Sequence, residues 1–424
     1  MTLDLVFHLL LILSLAALFI GCAYLKGDWA HPAPLLALLW LLVCSAYLLW
    51  PHHLFPLSMQ AKVLVLAAVA AFCIGAGLST RWQTPVQKVA STEPGAQWRT
   101  TIIRPLLFWI ALLGLPLFLL KAQDLADSAS YTESFYVNLR IALTGELDEA
   151  QTFGVLAYLI PVSFSSAFVE LAASHRRWFE GRGWIALALA STYAVMATGR
   201  TYVFLLLITL AFIALIQKRA TLTQIGLLAI GSATAAFIGL GMLANKIGVD
   251  SPNTYALTAS DAVALYLLSG LTAFDYSIAQ PANLEWGANM FRSLLAILSA
   301  VGIDVQVPPL VKPYVFIPEP TNVYTVFSPY FRDFGWLGVV LTFGALGSAQ
   351  ASLFQFAKTT LAPRAVIFAA LSAYPLLMQF FQDQYFSLLT TWITFALLVG
   401  PCFTLAPAQS GSMDAARSSV SELP

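Results

Sequence analysis

Residues Leu3 to Leu25 read LDLVFHLLLILSLAALFIGCAYL, and this run decides the fold. It is too long for a signal-peptide core and has no basic segment before it, so it is expected to persist as a helix. Runs of the same kind recur at Pro34 to Trp50, Ala61 to Leu78, Pro105 to Leu120, Phe153 to Ser174, Trp184 to Thr198, Tyr202 to Ile216 and Leu222 to Ala244. Three more follow at Gly335 to Ala357, Ala365 to Phe381 and Tyr385 to Phe403. A bilayer has no water to satisfy backbone N–H and C=O groups, so spanning elements are helices or closed barrels, and long apolar runs without strand alternation select helices. The expected fold is an all-α polytopic transmembrane bundle of about eleven or twelve helices.

Composition agrees. Of 424 residues, 59% are hydrophobic and 10% charged, against about 25% charged in a soluble protein. The 21 basic and 21 acidic residues cancel, which removes any bulk field for nucleic acid. Cys22, Cys44, Cys73 and Cys402 lie inside apolar runs without metal-ligand spacing and read as packing residues.

Charge distribution sets the topology. Arg81, Lys88, Arg99 and Arg104 stand against one acid, Glu93, which places that connection in the cytoplasm. By alternation Arg176, Arg177 and Arg182, then Lys218 and Arg219, then Lys358 and Arg364, fall on the same side. The acidic stretch with Asp124, Asp127, Glu133, Glu146, Asp148 and Glu149 falls on the other. The chain divides into transmembrane helices over 1–244, a large outer connection over 245–334, further transmembrane helices over 335–405 and a cytoplasmic tail over 406–424. A connection of roughly ninety residues usually carries function. Asp261 is expected to cap a short helix over Ala262 to Phe274, and Ala288 to Ala300 has helical periodicity. Pro308, Pro309, Pro313, Pro318 and Pro320 make the following stretch extended.

Charged residues near the outer boundary are the candidates for chemistry. Arg200, in Ala197-Thr198-Gly199-Arg200-Thr201, lies between the cytoplasmic markers Arg182 and Lys218. Each leg has about seventeen residues, or roughly 26 Å of helix, which leaves Arg200 near the outer headgroups of a core about 30 Å thick. An arginine there either snorkels or binds an anion; Gly199 and the flanking threonines favour the anion. A second cluster runs from Thr321 to Gly335, where Arg332 and Asp333 meet the start of a helix among Asn322, Tyr324, Phe327, Tyr330 and Phe331. An aromatic belt explains the rings, but not the interleaved arginine, aspartate and asparagine. Asp275 and Arg292 lie in the helical half of the outer connection. Glu285, Asp304 and Glu319 read as loop acids, and Glu146, Asp148 and Glu149 as solvated ones. Gln379, Gln382, Asp383 and Gln384 read as a polar turn, and Glu170 as a partner of Arg176 or Arg177.

Outer-face chemistry cannot draw on cytosolic nucleotide sugars, so an activated donor must arrive on a lipid, and a polyprenyl diphosphate suits. Its departure is eased by cations placed where charge develops. Arg200 and Arg332, joined by Arg292 or Lys312, are expected to bind that diphosphate; Asp275 and Asp333 are the candidate catalytic carboxylates. Asn322, Tyr324 and Tyr330 are the candidate sugar contacts. With arginine neutralising the leaving group, no metal or other cofactor is expected.

The sequence resembles the oligosaccharide repeat-unit polymerases, the Wzy-type O-antigen polymerase family. The pieces that carry the resemblance are Thr198-Gly199-Arg200-Thr201, then Tyr266-Leu267-Leu268-Ser269-Gly270 through Phe274-Asp275, then Asn322-Val323-Tyr324-Thr325 through Tyr330 to Asp333-Phe334-Gly335. The resemblance implies a GT-C-like helical enzyme of the bacterial inner membrane, working at the periplasmic face. It would transfer a growing glycan from one undecaprenyl diphosphate to a new lipid-linked repeat unit, with a chain-length regulator and a flippase as further partners. O-antigen ligases look similar in outline but use a histidine in the large outer loop, where this chain has none. A lipid-linked glycan flippase or permease would place polar features nearer the midplane, and a scaffold for polysaccharide export would not require Arg200.

Overall fold

The structure, a computed structural model, describes residues 3–79, 98–129, 131–144, 151–174, 178–227, 231, 259–280, 283–309, 312–318 and 320–405. Its helices are α1 (Leu3–Lys26), α2 (Pro32–Leu49), α3 (Met59–Ser79), α4 (Ile103–Ala129), α5 (Phe135–Thr144), α6 (Leu159–Ala173), α7 (Gly181–Met196) and α8 (Arg200–Ile216). There follow α9 (Ala259–Ile278), α10 (Arg292–Ala300), α11 (Phe327–Thr360), α12 (Pro363–Leu377) and α13 (Leu389–Val399). Each expected run outside 222–244 overlaps one of these helices, and among the described residues six helical segments are long and apolar enough to cross a membrane. The expected run Leu222 to Ala244 is helical over 222–227; most of the rest lies outside the described residues, as do Arg81, Lys88, Glu93, Glu146, Asp148, Glu149, Arg176, Arg177, Glu319 and the expected tail.

Strands are few. β1 (Trp98–Thr100) pairs antiparallel with β4 (Phe403–Leu405), and β2 (Val315–Phe316) with β3 (Pro320–Thr321).

Two cores divide the bundle. One joins α4, α6, α7, α8, α12 and α13; the other joins α1, α2, α3, α9 and the start of α11. Helix α11 serves both, Val339 and Phe343 packing in the second and Phe354 and Ala357 in the first. Its contact with α3 is close because small residues meet there: a Cβ on Gly75 would lie 2.0 Å from the Gly344 carbonyl oxygen. Near its start α11 is kinked at Gly335, whose φ of 63° and ψ of −150° suit glycine alone. The turns from Phe327 to Phe334 therefore stand as a separate short helix above the long one.

Ion pairs and hydrogen bonds show which helix ends share a side. Asp4 and Lys62 pair at the starts of α1 and α3. Lys26 donates to the Ala76 carbonyl at their other ends. At that second end Lys358 meets Asp28 at 2.6 Å, and Arg364 stacks on Trp98 at 4.9 Å. Glu170, only 5% exposed, accepts from Arg104 and from Arg182, each at 2.7 Å. Arginines on neighbouring helices thus reach Glu170 across the α4–α6–α7 contact, while its expected partners Arg176 and Arg177 lie outside the described residues. This basic end gathers the cations that the alternation assigns to one side.

At the opposite end α9 lies across the α2–α3 connection. Trp50 Nε1 donates to Ser260 Oγ at 3.2 Å, and Ser58 N donates to Asp275 Oδ2 at 2.6 Å. The helix is described from Ala259 onward, so it includes Asp261.

Candidate functional site

The short helix before the Gly335 kink carries Ser328, Tyr330, Arg332 and Asp333 within two turns. Lys312, held by the proline-rich stretch before β2, reaches this helix and donates to Ser328 Oγ at 2.8 Å. Its Nζ also lies 5.3 Å from the centre of the Tyr324 ring, and the Tyr324 hydroxyl is tied to the Pro313 carbonyl at 3.0 Å. Arg332, one turn beyond Ser328, has Nε 3.9 Å from Glu285 Oε1. Burial pushes the Lys312 ammonium down to about 8, and the neighbouring Arg332 charge adds to that shift. Burial likewise raises the Tyr324 phenol and lowers the Arg292 guanidinium. Lys312 thus meets the first turn of this short helix and Arg332 its last, close enough for the two charges to act on each other.

The carboxylates here are committed differently. Asp333 is fully buried; Oδ1 accepts from Asn289 N at 3.1 Å and Asn289 Nδ2 at 2.8 Å, and Oδ2 from Met290 N at 2.7 Å. Asp275 accepts from the backbone and hydroxyl of Ser58, which in turn accepts from Ala61 N at 3.2 Å and so caps α3. Both expected catalytic carboxylates act as clamps in this geometry, and proton transfer to either would disturb its hydrogen bonds to backbone amides. Glu285, read from the sequence as a loop acid, is the carboxylate beside Arg332; it is 38% exposed and accepts from Asn289 Nδ2 at 2.8 Å.

Arg200 occupies a second group. Thr198 takes a left-handed φ of 55° and Gly199 is extended, so the turn sets Arg200 as the first residue of α8. The strained position is the threonine, not the glycine. The guanidinium carbon lies 5.8 Å from the Tyr266 ring centre, with Arg140 and Tyr136 as electrostatic neighbours. Tyr266 stacks on Phe381 at 4.7 Å. Arg140, in α5, was not among the expected residues; as the basic residue nearest the middle of an acidic stretch, it was the signal available in the sequence.

The expected sugar contacts separate. Tyr330 is fully buried and donates to Asp383 Oδ1 at 2.7 Å, so it packs the core and presents no face to a sugar. Tyr324 is buried beside Lys312, and Asn322 is partly exposed at the edge of the same loop. Arg292 Nε donates to the Pro308 carbonyl at 2.7 Å, away from the Lys312–Arg332 pair. The segment Gln379 to Gln384, expected as a polar turn, is largely interior: Gln379, Asp383 and Gln384 are buried. Gln379 accepts from Trp40 Nε1 at 3.1 Å, and its backbone carbonyl accepts from Val326 N at 3.0 Å. Asp383 also accepts from Tyr385 N and from the backbone and hydroxyl of Ser387. Nothing local in the sequence separates such buried polar residues from a solvated turn.

Among known proteins the chain is similar to an O-antigen polymerase of Shigella dysenteriae, 24% identical over 261 residues, which make up 59% of this chain and 62% of that protein. The match therefore spans about three fifths of the curated relative's length. No protein-family model and no solved structure matches the chain.

Proposed function

We propose that this protein is a membrane glycosyltransferase that polymerises lipid-linked oligosaccharide repeat units, with an undecaprenyl diphosphate as leaving group. The reading rests on the Lys312–Arg332 pair at the start of α11, whose neighbouring carboxylates Asp333 and Asp383 are held by amide and hydroxyl donors. It is supported by the similarity to an O-antigen polymerase. In this scheme an acceptor hydroxyl attacks the anomeric carbon of the donor sugar. The bond from that carbon to the phosphate oxygen breaks, and the released diphosphate lies against Lys312 and Arg332. Fixed cations of this kind act where charge develops and need no rearrangement during the step. Glu285, open to solvent beside Arg332, takes the proton from the acceptor hydroxyl. Asp275 and Asp333 hold the frame. Arg200 and Arg140 serve the lipid-linked substrates from the second group, and Asn322 and Tyr324 border the sugar path.

The site is proposed to face the periplasm from the bacterial inner membrane, since the basic end marks the cytoplasmic side. A flippase supplying repeat units and a chain-length regulator are the proposed partners. Reconstitution into liposomes with a lipid-linked repeat unit tests the reading. Longer lipid-linked glycans, lost in Arg332→Ala at unchanged thermal stability, support it; full extension in both Arg332→Ala and Arg200→Ala refutes it. The chemistry is proposed to be metal-independent, so loss of activity on chelation with recovery on adding magnesium would overturn that part.

A further inference from the structure

We propose that α10 is an interfacial helix whose apolar stripe lies in the lipid leaflet at the end opposite the basic one, fixing the depth of the Lys312–Arg332 pair. Leu294, Ile297, Leu298 and Val301 fall at positions i, i+3, i+4 and i+7, and all four are exposed. The other side of the helix is pinned to protein. Ser293 is buried and donates to the carbonyls of Phe386 at 3.3 Å and Ser387 at 3.1 Å, and Arg292 donates to Pro308. A short helix with one polar edge fixed and one apolar edge outward has the form of an in-plane membrane helix.

The bilayer is the occupant because the stripe continues a lipid-facing surface. Phe386 and Ser387 lie just before α13, one of the short apolar helices, whose Ile393 and Leu397 are exposed. Just before α10 the exposed aromatics Trp286 and Phe291 supply rings of the kind favoured at a membrane–water boundary. The link to the cation pair is short and runs through hydrogen bonds to Asp333. Asp333 grips Asn289 and Met290, which lead into α10, and it is the chain neighbour of Arg332. In this proposal α10 and the α11 span together hold Arg332 at its depth. The placement of the helix stands without any enzymatic reading; its consequence for the cation pair rests on the proposed function.

A nitroxide label on Ile297→Cys tests the placement. The full chain, with Cys22, Cys44, Cys73 and Cys402 replaced by serine, is reconstituted in vesicles of phosphatidylethanolamine and phosphatidylglycerol. Oxygen should relax this label more strongly than a water-soluble nickel chelate, as at Leu397→Cys, and Ser299→Cys at the polar edge should show the reverse. A label at 297 as open to the chelate as that at 299, or shielded from both reagents by protein, overturns the proposal. In the same vesicles Ile297→Lys should lower chain extension about tenfold, with Ser299→Lys near wild type. Unchanged extension in Ile297→Lys, with the label in lipid, overturns the link to Arg332. Because the label is read without turnover, failure of the polymerase reading would not be mistaken for failure of the helix placement.

Discussion

Glu170 at the basic end and Asp333 at the opposite end are both buried carboxylates, yet Glu170 is held by two arginines and Asp333 by backbone and side-chain amides. The difference determines what the nearby cations can do. At the basic end opposite charges are matched: Arg104 and Arg182 meet Glu170, and Lys358 meets Asp28. Such pairs tie helices together and leave little positive potential. At the other end Asp333, Asp275 and Asp383 draw on amides and hydroxyls. Lys312 has a neutral partner in Ser328, and Arg332 meets Glu285 only at 3.9 Å. These cations are less tightly paired, and Asp383, Glu285 and Asp333 act on Lys312 only through space.

The largest expected effect breaks the matched end. Glu170→Gln should destabilise the bundle by roughly 3 kcal/mol, because two arginines lose a buried counter-charge, seen as an early transition in thermal unfolding. If stability is unchanged, the matched pairs are not what holds this end together. Arg332→Ala should do the opposite. Its long, half-exposed pair with Glu285 supports folding by less than about 1 kcal/mol, whereas chain extension should fall about 10²–10³-fold, as for loss of a group facing developing charge.

The pH dependence follows from Lys312. Burial places its titration at about 8, so the ammonium is charged below that value and neutral above it. An anion binds the charged form, and diphosphate affinity should therefore fall as pH rises through this range, by about tenfold between roughly pH 7 and pH 9. Lys312→Arg should flatten that fall, which titration of binding to a soluble prenyl diphosphate would show. The smallest effect concerns a clamp: Ser58→Ala removes the α3 cap and one donor to Asp275 and should cost about 1 kcal/mol, with extension per folded molecule near normal. A loss of turnover without loss of stability would return Asp275 to the chemistry.

Much of this was legible in the sequence. Every apolar run outside 222–244 overlaps a helix, although α4 runs on to Ala129, well past the expected end at Leu120, and the boundary at Gly335 coincides with the kink in α11. Arg332, Lys312 and Tyr324 were recognisable by charge and ring type among prolines. The partners of the carboxylates were not. Asp275 is met by Ser58, 217 residues away, and Gln379 by Trp40, 339 residues away. Glu285, read as an ordinary loop acid, stands beside Arg332, and Asp383, read as part of a polar turn, is buried under Tyr330.

The sequence alone marked the apolar segments and the shared side of the described helix ends, because hydropathy and basic flanks act on each segment where it stands. Tertiary structure decided which charges neutralise one another. A hydrogen bond depends on angstrom-scale contact between elements far apart in the chain, and no local pattern encodes which donor arrives first.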